Sequence, residues 1–176
     1  TQVLLGDEIN RAPAKTQSAL LEAMEERRVT TAGITRDLPR PFFVLATQNP
    51  IEQEGTYPLP EAQLDRFIFS LHLGYPSLAA ETQILHATTG TPPPPLEKIC
   101  TAQALVELQQ VVRRVHVPAS AADFAVRLVQ STRPDSGSAV AVVKRCVQWG
   151  AGPRATQALA LAAKVVAALD GRFNCY

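Results

Sequence analysis

Cysteine is scarce in this 176-residue chain, and the three present, Cys100, Cys146 and Cys175, are widely spaced and odd in number. That argues against a disulfide framework or a thiolate metal site and fits reduced thiols in the cytoplasm. Cys146, in an apolar context, reads as core packing. Charge of either sign is not in excess: 17 Lys and Arg against 16 Asp and Glu leave a formal +1, so no global field calls for nucleic acid or an anionic membrane. No apolar run approaches the roughly 20 residues that span a bilayer, since Lys164 breaks the stretch Ala158–Leu169. There is no initiator Met and no signal peptide before the apolar run that follows Thr1-Gln2, and the chain stops at Phe173-Asn174-Cys175-Tyr176. Both ends read as cuts within a longer protein. What is plentiful is hydrophobic residues, 46%, with 19% charged, the composition of a soluble globular chain.

The pattern along the chain changes at one place. Val3-Leu4-Leu5-Gly6 and Phe42–Thr47 are apolar without alternation, as expected for strands of a sheet covered on both faces. Between them Pro13 can open a helix over Lys15–Arg28 with Ala19, Leu20, Ala23 and Met24 on its buried stripe. Val29–Thr31 and Ile34–Arg36 form a hairpin around Gly33. Leu64–Leu73 suggests a short helix end followed by a further strand. Strands separated by a helix and a hairpin indicate an α/β sheet. Then come Thr91 and four prolines, which suit neither helix nor central strand. Beyond them the apolar spacing is helical. Thr101 can cap a helix through Val115 with Leu105, Leu108, Val111, Val112 and Val115 on one face, and Ser120 can cap another carrying Phe124, Leu128 and Val129. Pro153 can open a last one with Leu159, Ala162, Val165, Val166 and Leu169 on its stripe and Gly171 past its end. The expected division is an α/β portion over residues 1–90, a linker over 91–95 and a small all-α lid over 96–176.

Four polar signals sit at strand ends or helix starts. Asp7-Glu8 closes an apolar strand, the Walker B arrangement, at the end of an α/β sheet where ligands bind. There Asp7 can hold Mg²⁺ through hard carboxylate oxygen and Glu8 can orient the attacking water; the same pair also occurs where a strand meets an acidic helix start. Asn49 follows the next strand and can fix that water, or Asn49-Pro50 is only a turn starter. Arg66, in Leu64-Asp65-Arg66-Phe67, can reach a phosphate on an adjacent subunit as an arginine finger. Its alternative is a surface pair with Asp65 or Glu61. Arg154 can sense the terminal phosphate from the first turn of the last helix, or be a solvated arginine at a helix start.

Taken together, Leu4-Leu5-Gly6-Asp7-Glu8-Ile9-Asn10-Arg11-Ala12-Pro13, Thr16–Met24, Phe43–Pro50, Leu59–Phe67, Trp149–Ala155 and Leu169–Arg172 closely resemble the MoxR branch of AAA+ ATPases. The resemblance implies the later part of an AAA+ P-loop core sheet followed by an AAA+ lid. It implies ATP and Mg²⁺ as cofactors, with Asp7 and Glu8 as the Walker B pair, Asn49 as sensor 1, Arg66 as the arginine finger and Arg154 as sensor 2. The hairpin around Gly33 resembles the pre-sensor-1 hairpin. Homo-hexameric rings, chaperone-like remodelling and partners with von Willebrand factor A domains are what the family suggests for the longer protein. Two departures stand out. No Gly-x-x-x-x-Gly-Lys-[Ser/Thr] occurs in these residues, so the phosphate cradle is absent and this chain alone is expected not to turn over ATP. Gly6 is smaller than expected before the acidic pair. A sheet without its P-loop strand is also expected to leave the Val3–Gly6 strand with an unpaired edge and an uncovered apolar face. Two further readings are a non-catalytic interaction module and a DNA helicase relative, the latter lacking the basic stripe that backbone binding requires.

Overall fold

A computed structural model describes residues 1–49 and 55–176. Its chain forms two compact units, Thr1–Ile68 together with Ala102–Tyr176, and Phe69–Thr101.

The first unit holds an α/β part and a helical part. Strands β1 (Val3–Gly6) and β4 (Phe43–Ala46) pair in parallel, Val3 opposite Phe43 and Gly6 opposite Ala46. Between them come a 3₁₀ turn at Ile9–Arg11, helix α1 (Ala14–Glu26) and the antiparallel hairpin of β2 (Arg28–Thr31) and β3 (Ile34–Asp37). Helix α2 (Glu61–Leu64) follows. Ile9, Leu21 and Leu59 make the core here, with Leu20, Met24, Ala46 and Phe67 packed against them.

Several details differ from the sequence expectation. The sheet is covered on one face only: Val3, Leu5, Phe43 and Leu45 are 50–61% exposed, while the alternate residues Leu4, Gly6, Val44 and Ala46 are half-buried. Helix α1 ends at Glu26, because Arg27 is left-handed (φ 56°) and Arg28 pairs with Asp37 in the hairpin. Its covered side carries buried Gln17, Leu21 and Ala23 with half-buried Leu20 and Met24, so that Leu20, Ala23 and Met24 lie as expected and Ala19 is exposed. Gly33 (φ +78°) follows Ala32 (φ 51°) in the hairpin turn, as a two-residue primed turn requires.

The helical part contains α4 (Ala102–Arg114), α5 (Ala119–Ser131), α6 (Ala141–Cys146) and α7 (Pro153–Leu169). Helix α7 packs on α4 and α5, and Val115, Ala167 and Cys175 form a small core. Pro153 opens α7 behind Gly152, and Gly171 (φ +69°) follows its end. Ser120 lies inside α5, whose N-cap position is taken by Pro118; the rigid ring of Pro118 sets the entry two residues earlier. Cys146 is exposed and Cys175 buried, the reverse of the expectation for Cys146, because α6 ends beside solvent. The motif Leu169-Asp170-Gly171-Arg172 is structural: Arg172 bonds the Asp170 carboxylate at 2.9 Å, donates to the Asn174 carbonyl at 3.3 Å and stacks over Tyr176 at 4.3 Å. That brings the terminal residues beside His116 through the His116–Asn174 bridge.

In the second unit, α3 (Leu78–Thr89) starts at Ser77, whose hydroxyl accepts from the Ala80 amide at 3.3 Å. Residues 69–77 form no strand, and Phe69, Leu71 and Leu73 are exposed. A strand exists only with a ladder partner, and none stands beside them among the described residues. Thr91–Pro95 is neither helix nor strand.

Candidate functional site

The parallel pair β1 and β4 delivers its carboxyl ends to one place. Asp7 follows β1 directly, and Thr47 follows β4 directly. The Thr47 hydroxyl donates to Asp7 Oδ1 at 2.5 Å and accepts from the Glu8 amide at 2.9 Å, so one side chain ties both acidic residues to the neighbouring strand. Backbone bonds reinforce the junction: Thr47 N to Gly6 O and Ile9 N to Thr47 O, each 3.0 Å.

Glu8 adopts a left-handed conformation (φ 50°, ψ 50°). A side chain longer than Gly, Asn or Asp held there stores strain, of the kind that concentrates at functional sites. Its carboxylate pairs with Arg11 Nε at 2.8 Å, a half-exposed contact of small energetic weight.

Asn49 lies at the same end. Its carbonyl accepts from Asn10 Nδ2 at 3.4 Å. Asn10 is buried, and its Oδ1 has no hydrogen-bond partner among the described residues, an orphaned acceptor of a kind that folded proteins keep few of. Pro50, the other half of the turn reading for Asn49-Pro50, lies outside the described residues. Beneath the site Gln17, only 2% exposed, donates through Nε2 to the carbonyls of Ile9 (3.1 Å) and Tyr57 (2.8 Å). It thereby holds the segment that carries Glu8 and Asn10. Gly6 leaves space for ordinary contact, since a Cβ there would meet Leu20 at 3.7 Å and Ile9 at 3.8 Å.

These groups fit a magnesium nucleotide in kind. Asp7 offers a hard, exposed carboxylate at the strand end, and Mg²⁺ is held in such sites by one or two carboxylates and the substrate phosphates.

The two arginines gather elsewhere. Arg66 Nη1 reaches Glu25 Oε2 at 2.8 Å, and Arg154 Nη2 reaches Glu25 Oε1 at 2.7 Å, so one carboxylate on α1 bridges both. Arg66 also donates to the Leu21 carbonyl at 3.5 Å, and its Nε is buried without a partner among the described residues. Neither the pair of Arg66 with Asp65 or Glu61 nor a solvated Arg154 describes what is found. The Asp65 carboxylate instead lies 3.5 Å from where a Gly152 Cβ would be, at the start of α7, where the helix dipole favours an anion. Glu25 stands eight residues beyond Gln17, the α1 residue that bonds the Ile9 carbonyl, so the arginine cluster lies on the order of 12 Å along that helix from this contact. The ion pairs are a third to a half exposed and contribute on the order of 1 kcal/mol or less apiece. Their consequence is geometric.

Sequence reasoning missed Thr47 and Glu25. For Glu25 a signal existed: acids in the last turn of a helix oppose its dipole, so one there needs a cation brought from outside the helix.

Residues 1–69 match the family model described as ATPase family associated with various cellular activities (AAA), and residues 139–175 match the AAA lid domain. Chaperone MoxR1 of Mycobacterium tuberculosis is 47% identical over 96% of this chain and 45% of its own length. The chain belongs to the MoxR branch of the AAA+ ATPases. The uncharacterised protein YeaC of Bacillus subtilis is likewise 47% identical, over 97% of this chain and 51% of its own length. A crystal structure of a candidate ATPase from Cytophaga hutchinsonii superposes with a TM-score of 0.91 at 38% identity, covering 99% of this chain and 53% of that one. The AAA+ α/β core followed by a helical lid is therefore the fold class of this MoxR-type chain. It spans about half the length of the relatives it matches. Among the described residues no helix is long and apolar enough to cross a membrane.

Proposed function

We propose that this chain supplies the Walker B, sensor and arginine-finger half of an ATP-hydrolysing ring protein that remodels or matures partner proteins. The observation that carries the reading is the junction at the ends of β1 and β4, where Thr47 binds both Asp7 and the Glu8 amide.

In this reading Asp7 holds the metal, and Mg²⁺ there supplies charge neutralisation of the terminal phosphates. Glu8 accepts a proton from the attacking water, fixed in a strained backbone that keeps its carboxylate from wandering. Asn49 orients the same water. Water oxygen bonds the terminal phosphorus, the bond to the bridging oxygen breaks, and ADP and phosphate leave. Arg66 stabilises the charge that develops, on the nucleotide of a neighbouring subunit, and Arg154 couples nucleotide state to the lid. Arg66 and Arg154 meet on Glu25 and not on Asp7 or Glu8, which supports a site shared between subunits, and the family resemblance makes the assembly a homo-hexamer. Residues 1–90 serve as core, 91–95 as linker and 96–176 as lid. Partners carrying von Willebrand factor A domains and a cytoplasmic location complete the proposal, the latter supported by unpaired Cys100, Cys146 and Cys175. The 176-residue chain by itself, without a Gly-Lys-Ser/Thr loop, does not turn over ATP.

The test is Mg²⁺-dependent phosphate release by the full-length protein and its Asp7→Asn variant. Turnover that needs Mg²⁺ and falls at least about 100-fold in the variant is expected. Equal turnover in both would refute the metal role of Asp7.

A further inference from the structure

Glu25 has no part in the chemistry just described, yet among the described residues it is the one side chain paired with both proposed phosphate-binding arginines. The two guanidinium groups arrive from different elements, Arg66 after the end of α2 and Arg154 in the first turn of α7. Like charges brought together repel. Long arginine side chains carry much rotamer freedom, so unaided they would splay apart. The carboxylate between them starts from a fixed base, because Leu21 and Ala23 of the same helix are buried and hold the last turns of α1 in the core. Arg66 is fixed again by the Leu21 carbonyl of that helix. The Asp65 carboxylate lies beside Gly152, at the start of α7. Glu26, on the next position, is occupied by Arg28 at 3.4 Å. Glu22 lines the same shallow depression but makes no ion pair with either arginine among the described residues.

We infer that Glu25 is a positioning residue: its carboxylate bridges Arg66 and Arg154 and sets the separation and direction at which both meet a phosphate oxyanion. This rests on the phosphate-binding roles proposed above for the two arginines. Glu25 takes Nη1 of Arg66 and Nη2 of Arg154, and Arg66 Nε is buried, which leaves Nη2 of Arg66 and the rest of the Arg154 fork for the incoming anion. The bridge also joins core to lid through residues 129 positions apart, so movement of α7 is felt at Arg66.

The experiment uses the full-length protein with Mg-ATP. Glu25→Gln keeps the size of the side chain and removes its charge; kcat is expected to fall about ten- to a hundredfold with KM for ATP and the thermal midpoint little changed. Glu25→Asp should recover part of the loss. Glu22→Gln, the same charge change in the same depression, should leave kcat within about twofold of wild type. In an Arg66→Ala/Arg154→Ala background Glu25→Gln should cause no additional loss, because residues acting as one unit are not additive. Unaltered kcat in Glu25→Gln, equal loss in Glu22→Gln, or a further loss in the double-alanine background would each overturn the inference. Should the wild-type full-length protein show no ATP turnover, it is the proposed function that fails. The bridge is then decided by crystal structures of full-length wild type and Glu25→Gln without nucleotide. The guanidinium groups should lie farther apart in the variant, and an unchanged separation would overturn it.

Discussion

Gly150 shows how one residue can be fixed by the absence of a side chain. A Cβ there would lie 2.4 Å from Arg133 Cα and 2.6 Å from the Thr132 carbonyl. Around it the Thr132 hydroxyl accepts from the Ala151 amide, and Arg133 Nε donates to the Ala151 carbonyl, both at 3.0 Å. The glycine therefore lets the segment before α7 lie against the end of α5, which in turn aims Arg154. Gly150→Ala is expected to destabilise the helical part by about 1–3 kcal/mol through overpacking against backbone, read as a lower thermal midpoint. An unchanged midpoint would mean that the two segments do not touch in solution. The same scale explains what the sequence could and could not disclose. The placement of Asp7, Glu8 and Asn49 past the ends of β1 and β4 was legible because each comes after an apolar run, and a strand end is a place where ligands bind. Thr47 and Glu25 were not, because their partners lie 40, 41 and 129 positions away; the one local sign, an acid in the last turn of α1, does not say which cations meet it.

At the scale of elements, periodicity gave the strands, the hairpin and the long helices, and went astray where tertiary partners decide. The segment after Phe67 alternates like a strand yet forms none, since backbone donors and acceptors need a neighbouring ladder. The stripe of α1 includes the polar Gln17, which apolar spacing alone cannot reveal: it is buried because two carbonyls require its amide. The hairpin carries a local conflict. Ala32 holds φ 51° beside Gly33, although a Cβ in the left-handed region costs about 1–2 kcal/mol. Asn tolerates that region and is favoured before Gly in such turns. Ala32→Asn is therefore expected to stabilise the hairpin by about 0.5–1 kcal/mol, measured as a raised midpoint of unfolding. A lowered midpoint would contradict the turn geometry.

The molecule as a whole leaves apolar surface open that a complete AAA+ sheet would cover. Val3, Leu5, Phe43 and Leu45 stand in neighbouring rows on one bare face of the β1–β4 pair, and the strands at its edges have no further partner among the described residues. Such surface drives association. The 176-residue chain in isolation is expected to self-associate at micromolar concentration, and replacement of Leu5 and Leu45 by Thr to reduce that association, both read by light scattering during size-exclusion chromatography. A monodisperse wild-type chain would show that the face is closed in solution. The most direct measurement is ATP turnover by the full-length protein beside its Glu8→Gln variant, with nucleotide binding followed in both. If the junction at the ends of β1 and β4 is the hydrolytic centre, the variant binds ATP as wild type does and loses turnover by about 100- to 10,000-fold. Wild-type turnover in Glu8→Gln, with binding intact, would contradict it.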